Sequence, residues 1–367
     1  MRIQDGFFIE NDLITKYDGN ETELHIPSGV KGISASAFKN RSDIVSVYVP
    51  DGVEYIGREA FRGCENLKNI RLPDSITTIT VDAVADTAYW NDENNWENGV
   101  LYIDNILVRA KDTLEGSYSV KPNTRMIVSQ AFWRCQKITE VTMPNTVTNI
   151  GTKVFEYCGN LRNAILSERI SIIPFALFSY CQRLVSITLP NITEIGPEAF
   201  VLCENLEKIN FPETLQKIGA QAFWGCKKLK KIELPKTLLE IKEQAFVECH
   251  GLTTIELPFG LKSIAKDAFD RCSNMTCISF ENSDFIPDIS VKELCALKSI
   301  YTKANINQLP SPLKKYAAYG YIDRFMAGKT EHLHTAEYLA YIKRNRMKLL
   351  KDYSNDLVVY QFMQNNL

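Results

Sequence analysis

The sequence repeats itself with a period of 23 residues, and no other feature constrains the fold as strongly. From Cys135 onward, cysteine recurs at steps of 23, 23, 22, 23, 23 and 23 residues. The pairs Ala-Phe and Leu-Pro, or close equivalents, recur at fixed offsets from each cysteine. A fixed period of about 20–30 residues predicts a solenoid, in which neighbouring coils together bury an apolar face that one coil cannot bury alone. The repeat cysteines are Cys64, Cys135, Cys158, Cys181, Cys203, Cys226, Cys249 and Cys272.

The consensus C-x-x-L-x-x-I-x-L-P-x-x-L-x-x-I-G-x-x-A-F-x-x predicts how each coil folds. In the coil that begins at Cys226, Ile232 and Leu234 are two residues apart and therefore face the same side of a strand. Pro235 ends this strand, because proline has no N–H to donate to a ladder. The second half of the coil returns the chain, and we expect its Ile, Ala and Phe side chains to point back into the same interior.

This consensus resembles the BspA-like (Treponema-type) class of the leucine-rich repeat family, across roughly residues 19–308. The resemblance implies a right-handed superhelix, a repeat solenoid that is mainly β with irregular or short helical returns. It also implies a bacterial protein that binds other proteins, since members of the class are often found at cell surfaces and act in adhesion.

The repeat cysteines are predicted to be buried and inert. Cys226 lies beside lysines in the stretch FWGCKKLKK, and lysines lower the pKa of a thiol. A catalytic thiol occurs once, however, whereas this one recurs in coil after coil, as expected of a small side chain that packs inside. Free thiols at regular spacing favour a reducing compartment. Cys277 and Cys295 lie outside the register, and Cys277, on the outward side of a strand, is expected to be the more reactive of the two.

The chain is predicted to have three parts. Residues 1–18 form an N-terminal β-hairpin cap, residues 19–308 form the solenoid, and residues 309–367 form a helical C-terminal cap or tail with an N-cap at Ser311. A hairpin insertion at about 88–112 interrupts the repeat, and its segment 99–110 is similar to the N-terminal segment 6–17. The insertion is therefore interpreted as a second copy of the cap.

Composition and motifs argue against several classes of function. A formal net charge of −2 gives no general attraction for nucleic acid, and no apolar run is long enough to span a bilayer. No signal peptide is recognisable, so a cytoplasmic location is expected, with the cell surface or secretion as the alternative if a leader or anchor lies outside this sequence. No catalytic or metal-binding motif is present, and the acids at 92, 93 and 97 lack the spacing of a calcium loop. We therefore expect no enzymatic activity, no cofactor and no metal.

Two surfaces are candidates for binding a partner. The first, which we call the strand stripe, contains outward-facing residues of the predicted concave sheet. The second, which we call the aromatic edge, lies between Phe and Cys of each coil and is expected to form a ridge, unless its side chains pack into the core or under the inserted hairpin. The strand stripe contains Tyr48, Arg71, Glu140, Asn163 and Ile165, and the aromatic edge contains Trp133, Tyr157, Tyr180 and Trp224.

The function that fits these features is a rigid scaffold that binds a protein ligand without catalysis. The sequence leaves open whether this scaffold is a surface adhesin or acts inside the cell, and it gives neither the ligand nor the oligomeric state. A carbohydrate-binding or enzymatic role through the aromatic edge is the third interpretation. It requires a pair of carboxylates beside the aromatic residues, and no such pair is evident in the sequence.

Overall fold

The structure is a computed structural model that describes residues 2–282, 285–291, 293–329 and 335–366. These residues form two compact units. Unit 1 contains Met1–Ile170 and Pro174–Cys181, and unit 2 contains Ser171–Ile173 and Gln182–Leu367. Within the described ranges, no helix is both long enough and apolar enough to cross a membrane.

The strands of unit 1 form four sheets. The first contains β1 (Arg2–Gln4), β2 (Phe7–Glu10), β3 (Leu13–Tyr17), β5 (Gly32–Ile33), β7 (Tyr55–Ile56) and β9 (Thr78–Ile79). The second contains β4 (Glu23–His25), β6 (Ser46–Tyr48) and β8 (Asn69–Arg71). The third contains β10 (Trp96–Glu97), β11 (Val100–Ile103), β12 (Ile106–Ala110), β14 (Met126–Ile127) and β16 (Asn149–Ile150). The fourth contains β13 (Glu115–Ser119), β15 (Lys137–Thr142) and β17 (Asn163–Ile165).

The strands of unit 2 form three sheets. One runs through β18 (Ile172–Ile173), β20 (Glu194–Ile195), β22 (Lys217–Ile218), β23 (Glu240–Ile241) and β25 (Ser263–Ile264). The second pairs β19 (Ser186–Thr188) with β21 (Lys208–Asn210). The third contains β24 (Thr254–Leu257), β26 (Cys277–Phe280) and β27 (Ser299–Thr302).

Most coils have two parallel strands rather than the single strand that the consensus predicts. The second strand begins just before the Ile-Gly pair, as in β7, which pairs with β5 and β9. Glycine follows the strand where coils approach closely, since a Cβ on Gly57 would lie 2.5 Å from the backbone nitrogen of Ala35. The consensus therefore encodes two ladders, one on each side of the coil interior.

Stacked phenylalanine rings fill the interior of both units. In unit 1, Phe38 and Phe61 stack with ring centroids 4.9 Å apart. In unit 2, the centroids of Phe200 and Phe223 are 5.1 Å apart, and those of Phe223 and Phe246 are 5.2 Å apart. These rings are completely buried, as predicted for the Ala-Phe position. The spacing follows the rise from one coil to the next, so each ring supports both neighbours.

The inserted segment of unit 1 has the same hairpin structure as the N-terminus. Strands β11 and β12 pair antiparallel and turn at Asp104-Asn105, as β2 and β3 turn at Asn11-Asp12. The insertion also contains α1 (Ala88–Asn91) and a 3-10 helix (Glu93–Asn95).

Arg125 connects the coil before the insertion to the coil after it. Its guanidinium donates hydrogen bonds to the carbonyl oxygens of Ile76 and Pro73, at 2.7 and 2.9 Å, and to the side chain of Asn105 at 3.0 Å. These bonds cross the point where the inserted hairpin interrupts the repeat.

The C-terminal helices are α2 (Ser311–Met326), α3 (Thr335–Arg344), α4 (Arg346–Asp352) and α5 (Leu357–Asn366). Helix α2 packs closely on β27, because Gly320 brings its backbone near Ile300, where a Cβ would lie 2.3 Å from the Ile300 carbonyl oxygen. The predicted N-cap at Ser311 was wrong by one residue, since Pro310 precedes the first helical turn. Asn345 separates α3 from α4, and residues 330–334 before α3 lie outside the described residues.

Candidate functional site

The second residue between Phe and Cys has a left-handed backbone in coil after coil. Its φ is +60° in Arg134, +64° in Tyr157 and +61° in Tyr180. Glycine fills the same position at Gly63 and Gly225, where the left-handed region carries no steric penalty. A side chain there costs about 1 kcal/mol. Leucine, glutamate and arginine occupy this position in other coils with the same conformation, so the left-handed backbone is a property of the repeat.

Three of these left-handed residues form a continuous column, which we call the Arg-Tyr-Tyr column. The rings of Tyr157 and Tyr180 stack with centroids 4.5 Å apart and an interplanar angle of 24°. The guanidinium carbon of Arg134 lies 5.6 Å from the Tyr157 centroid. Backbone hydrogen bonds between coils fix the column. The N–H of Arg134 donates to the carbonyl oxygen of Glu156 at 3.0 Å, and the N–H of Tyr157 donates to the carbonyl oxygen of Ser179 at 2.9 Å.

Trp133 lies beside this column rather than in it. Its ring is 4.4 Å from the guanidinium carbon of Arg134, which therefore joins Trp133 to Tyr157. The Trp133 Nε1–H donates to the buried carboxylate of Glu156 at 3.0 Å, and Lys153 pairs with the same carboxylate at 3.0 Å. The structure thus brings three of the predicted residues together, all half-buried, but through an arginine that the sequence analysis missed. Arg134 precedes Cys135 just as Tyr157 precedes Cys158, and this shared offset was the available signal.

Trp224, the fourth aromatic residue, lies in unit 2 and is half-buried, and its buried indole N–H has no hydrogen-bond partner among the described residues. Its backbone environment matches that of Trp133, because Gly225 donates to the Val247 carbonyl at 2.8 Å as Arg134 does to Glu156. Val247 therefore occupies the position of Glu156, whose carboxylate accepts the Trp133 N–H in unit 1. The valine side chain cannot accept a hydrogen bond from Trp224.

We expect Val247→Gln to raise the free energy of unfolding by about 1 kcal/mol, because the amide oxygen can accept the orphaned indole N–H. Urea denaturation followed by circular dichroism measures the change. The matched control is the same substitution in a Trp224→Phe background, which has no N–H to satisfy and should show no gain. An equal effect in both backgrounds would show that the hydrogen bond is not its cause.

The strand stripe falls into two clusters in unit 1. On β4, β6 and β8, the rings of His25 and Tyr48 stack at 4.7 Å, and the Arg71 guanidinium lies 5.9 Å from the Tyr48 centroid. On β15 and β17, Glu140 is the register partner of Asn163, and Ile165 is 53% exposed.

The inserted segment and the following coil form a pocket of about 520 Å³, which we call the tryptophan pocket. The rings of Trp90 and Trp96 meet edge to face, with centroids 5.3 Å apart. The Trp96 Nε1–H donates to the carbonyl oxygen of Trp90 at 2.7 Å. Trp133 and Arg134 line the other wall, so the pocket continues into the Arg-Tyr-Tyr column.

The acidic side chains of the inserted loop have partners within the chain. The Asp92 carboxylate accepts the backbone N–H of Asn94 at 3.0 Å, Glu93 pairs with Lys111, and Glu97 pairs with Lys121. Across the described ranges, no three His, Cys, Asp or Glu side chains converge as metal ligands would.

Two open pockets of unit 2, of about 700 and 690 Å³, flank the segment 231–234. Two ion pairs lie within their lining. Lys230 pairs with Glu207 at 2.9 Å, and Lys231 pairs with Glu233 at 2.7 Å.

The thiols of the eight repeat cysteines are buried, as predicted. Burial raises the pKa of Cys226 well above its usual value, so the neighbouring lysines do not activate it. Its thiol donates a hydrogen bond to the carbonyl oxygen of Phe200 at 3.2 Å, and Cys249 bonds Phe223 in the same way. The recurring cysteine thus adds a sulfur-to-backbone bond between coils to its role in packing.

The expectation for the two remaining cysteines was wrong. Cys295 is the exposed thiol, whereas Cys277 is half-buried and its pKa is raised, chiefly by burial. On β26, Cys277 lies between Thr254 of β24 and Ser299 of β27, and its thiol is within hydrogen-bonding reach of the Ser299 side chain.

A family model described as "BspA type Leucine rich repeat region (6 copies)" matches residues 16–105, 113–208 and 193–314. The chain belongs to the BspA-type leucine-rich repeat family. The predicted family is confirmed, and so is the predicted fold class, a mainly β solenoid with a small helical C-terminal part.

Several solved leucine-rich repeat structures are similar to this member of the family. One, from Bacteroides ovatus, is 23% identical, with 82% of this chain and 76% of that chain covered and a TM-score of 0.44. A leucine rich cell surface protein from Faecalibacterium prausnitzii is 21% identical over 83% of this chain and 95% of that chain, with a TM-score of 0.33. A T. pallidum leucine-rich repeat protein is 25% identical over 55% of this chain and 86% of that chain, with a TM-score of 0.29. No curated protein matches the chain.

Proposed function

We propose that this chain is a non-enzymatic scaffold that binds a protein ligand through the Arg-Tyr-Tyr column and the adjoining Trp133. The observation that carries the proposal is that Arg134, Tyr157 and Tyr180 place large side chains at the same position of three consecutive coils. The stack of Tyr157 on Tyr180 makes these side chains one continuous surface.

The chemistry of this surface supports a protein ligand. Tyrosine, tryptophan and arginine are the residues that most often dominate the energy of protein interfaces. Here Trp133 and the two tyrosines are half-buried, and Arg134 is exposed but lies over the rings of Trp133 and Tyr157. Backbone bonds between coils hold the column in place. Little side-chain entropy remains to be lost on binding, which raises affinity for a given contact area.

Site-specific photocrosslinking tests this proposal. A benzophenone side chain is introduced at Tyr157 or, for comparison, at Tyr48 of the strand stripe, and both full-length chains are irradiated in extracts of the source cells. We expect a discrete protein adduct from position 157. Excess unlabelled wild-type chain should compete for the ligand and abolish this adduct, whereas excess Tyr157→Ala/Tyr180→Ala chain should not. An adduct from position 48 alone, or equal competition by the variant, would overturn the proposal.

A further inference from the structure

We propose that the tryptophan pocket holds an acidic peptide segment, with a carboxylate on the guanidinium groups and an apolar side chain against the indole rings. The inference deepens the proposed function and rests on it, because the pocket adjoins the Arg-Tyr-Tyr column through Arg134.

The arginines of the pocket provide the recognition of a carboxylate. Arg134 is held between two rings, 4.4 Å from Trp133 and 5.6 Å from Tyr157, and Arg109 lies 5.8 Å from Trp133. Arg109 also donates to the carbonyl oxygen of Gln130 at 2.7 Å. Within the described residues, neither guanidinium has a carboxylate partner. A stacked guanidinium keeps its N–H edge free, and that edge fits a carboxylate with two parallel hydrogen bonds.

The net charge of the lining favours an anion. Three cations, Arg109, Lys111 and Arg134, face two acids, Glu93 and Asp112, which leaves one positive charge in excess. Lys111 is already neutralised by its ion pair with Glu93. The attraction for an anion therefore comes mainly from Arg109 and Arg134, whose guanidinium groups both lie near the Trp133 ring.

The indole rings provide the apolar part of the site. Trp96 and Trp133 both use their N–H groups within the chain, on the Trp90 carbonyl and on Glu156. What they present to the pocket is therefore ring surface, which an apolar side chain can cover. A volume of about 520 Å³ lies within the range of ligand-binding pockets and accommodates a few residues of an extended peptide.

A neutral sugar fits this pocket less well than a peptide. Sugars stack on an open aromatic face, but Lys111 lies 5.0 Å from the Trp96 ring and Arg134 lies 4.4 Å from the Trp133 ring. Each of these rings thus has a cation over one face, which favours an anionic ligand over a neutral sugar, while the rest of each half-buried ring can still contact an apolar side chain.

A phage-displayed library of random peptides tests this inference on the full chain. Each peptide has about twelve random residues, which is longer than the segment that the pocket can hold. We expect enriched peptides to carry Asp or Glu next to a large apolar residue. Fluorescence anisotropy with the synthesised peptides should then show about tenfold weaker binding to Arg134→Gln, as expected for loss of a charge-assisted contact. Arg162→Gln is the matched control, because Arg162 is exposed in the same unit, makes no ion pair with any residue that the structure describes and lies outside the pocket.

Three results would overturn the inference: enriched peptides without acidic residues, equal affinities of the Arg134 and Arg162 variants, or an unchanged affinity for Trp133→Phe and Arg134→Gln combined. Heparin fragments serve as a second probe. Binding of heparin that depends on Arg134, with no acidic peptide enriched, would assign the pocket to an anionic glycan instead. If the peptide experiment fails but wild-type chain still competes away the adduct from position 157, the proposed function stands and only the acidic-peptide inference falls. The two failures are therefore distinguishable.

Discussion

Phe223→Ala is expected to lower the free energy of unfolding by about 4 kcal/mol, the usual cost of removing a large ring from a packed core. Phe223 is completely buried and stacks between Phe200 and Phe246, at 5.1 and 5.2 Å. The backbone ladder through β22 and β23 holds the neighbouring coils apart, so the cavity cannot collapse. Urea denaturation monitored by circular dichroism measures the loss.

Phe259→Ala is the matched control for this experiment. Phe259 belongs to the same unit but is 68% exposed, so its removal should change the free energy of unfolding by less than about 0.5 kcal/mol. Similar losses for the two variants would contradict the assignment of Phe223 to a continuous phenylalanine stack.

Thiol labelling of the native chain at pH 8 should modify Cys295 rapidly, Cys277 slowly and the eight repeat cysteines hardly at all. Only the thiolate reacts, and burial raises the pKa of Cys64 to about 11 and those of Cys135 and Cys272 to about 12. Each unit by which the pKa is raised lowers the thiolate fraction about tenfold. Iodoacetamide labelling followed by peptide mass spectrometry measures the rate at each site.

The same labelling in urea is the control, and all ten cysteines should then react. A repeat cysteine such as Cys226 that reacts in the native chain within about tenfold of the rate of Cys295 would contradict its burial, since exposure and pKa together should slow it far more. It would also revive the interpretation in which the lysines beside Cys226 activate its thiol.

The sequence predicted the interior of the coils well, because each coil repeats the same local pattern. The offsets of Phe and Cys from the Leu-Pro pair were enough to place Phe223 and Cys226 inside. The second strand found in most coils was missed, since two residues such as Tyr55–Ile56 are too short for a recognisable alternation. The bond from a repeat thiol such as that of Cys226 to a phenylalanine carbonyl 26 residues earlier was missed as well, because it depends on how coils stack.

The candidate site was only partly predictable. The shared offset before cysteine placed Tyr157 and Tyr180 in one column, but Trp133 is one residue out of step and joins them only through Arg134. The tryptophan pocket was not predictable at all. It forms where α1 and the residues after it meet the coil that contains Trp133, and a segment that occurs once has no period from which to infer its contacts.

The most direct measurement of the central claim is the dissociation constant of the ligand that crosslinks from position 157, determined by calorimetry for three forms of the chain. We expect Tyr157→Ala/Tyr180→Ala to weaken binding at least about tenfold, as for residues at the centre of an interface, with an unchanged circular dichroism spectrum. Tyr48→Ala/Arg71→Ala, which alters the strand stripe of the same unit, should leave the constant within about twofold of wild type. Loss of binding in the strand-stripe variant, with full affinity in the tyrosine variant, would contradict the account.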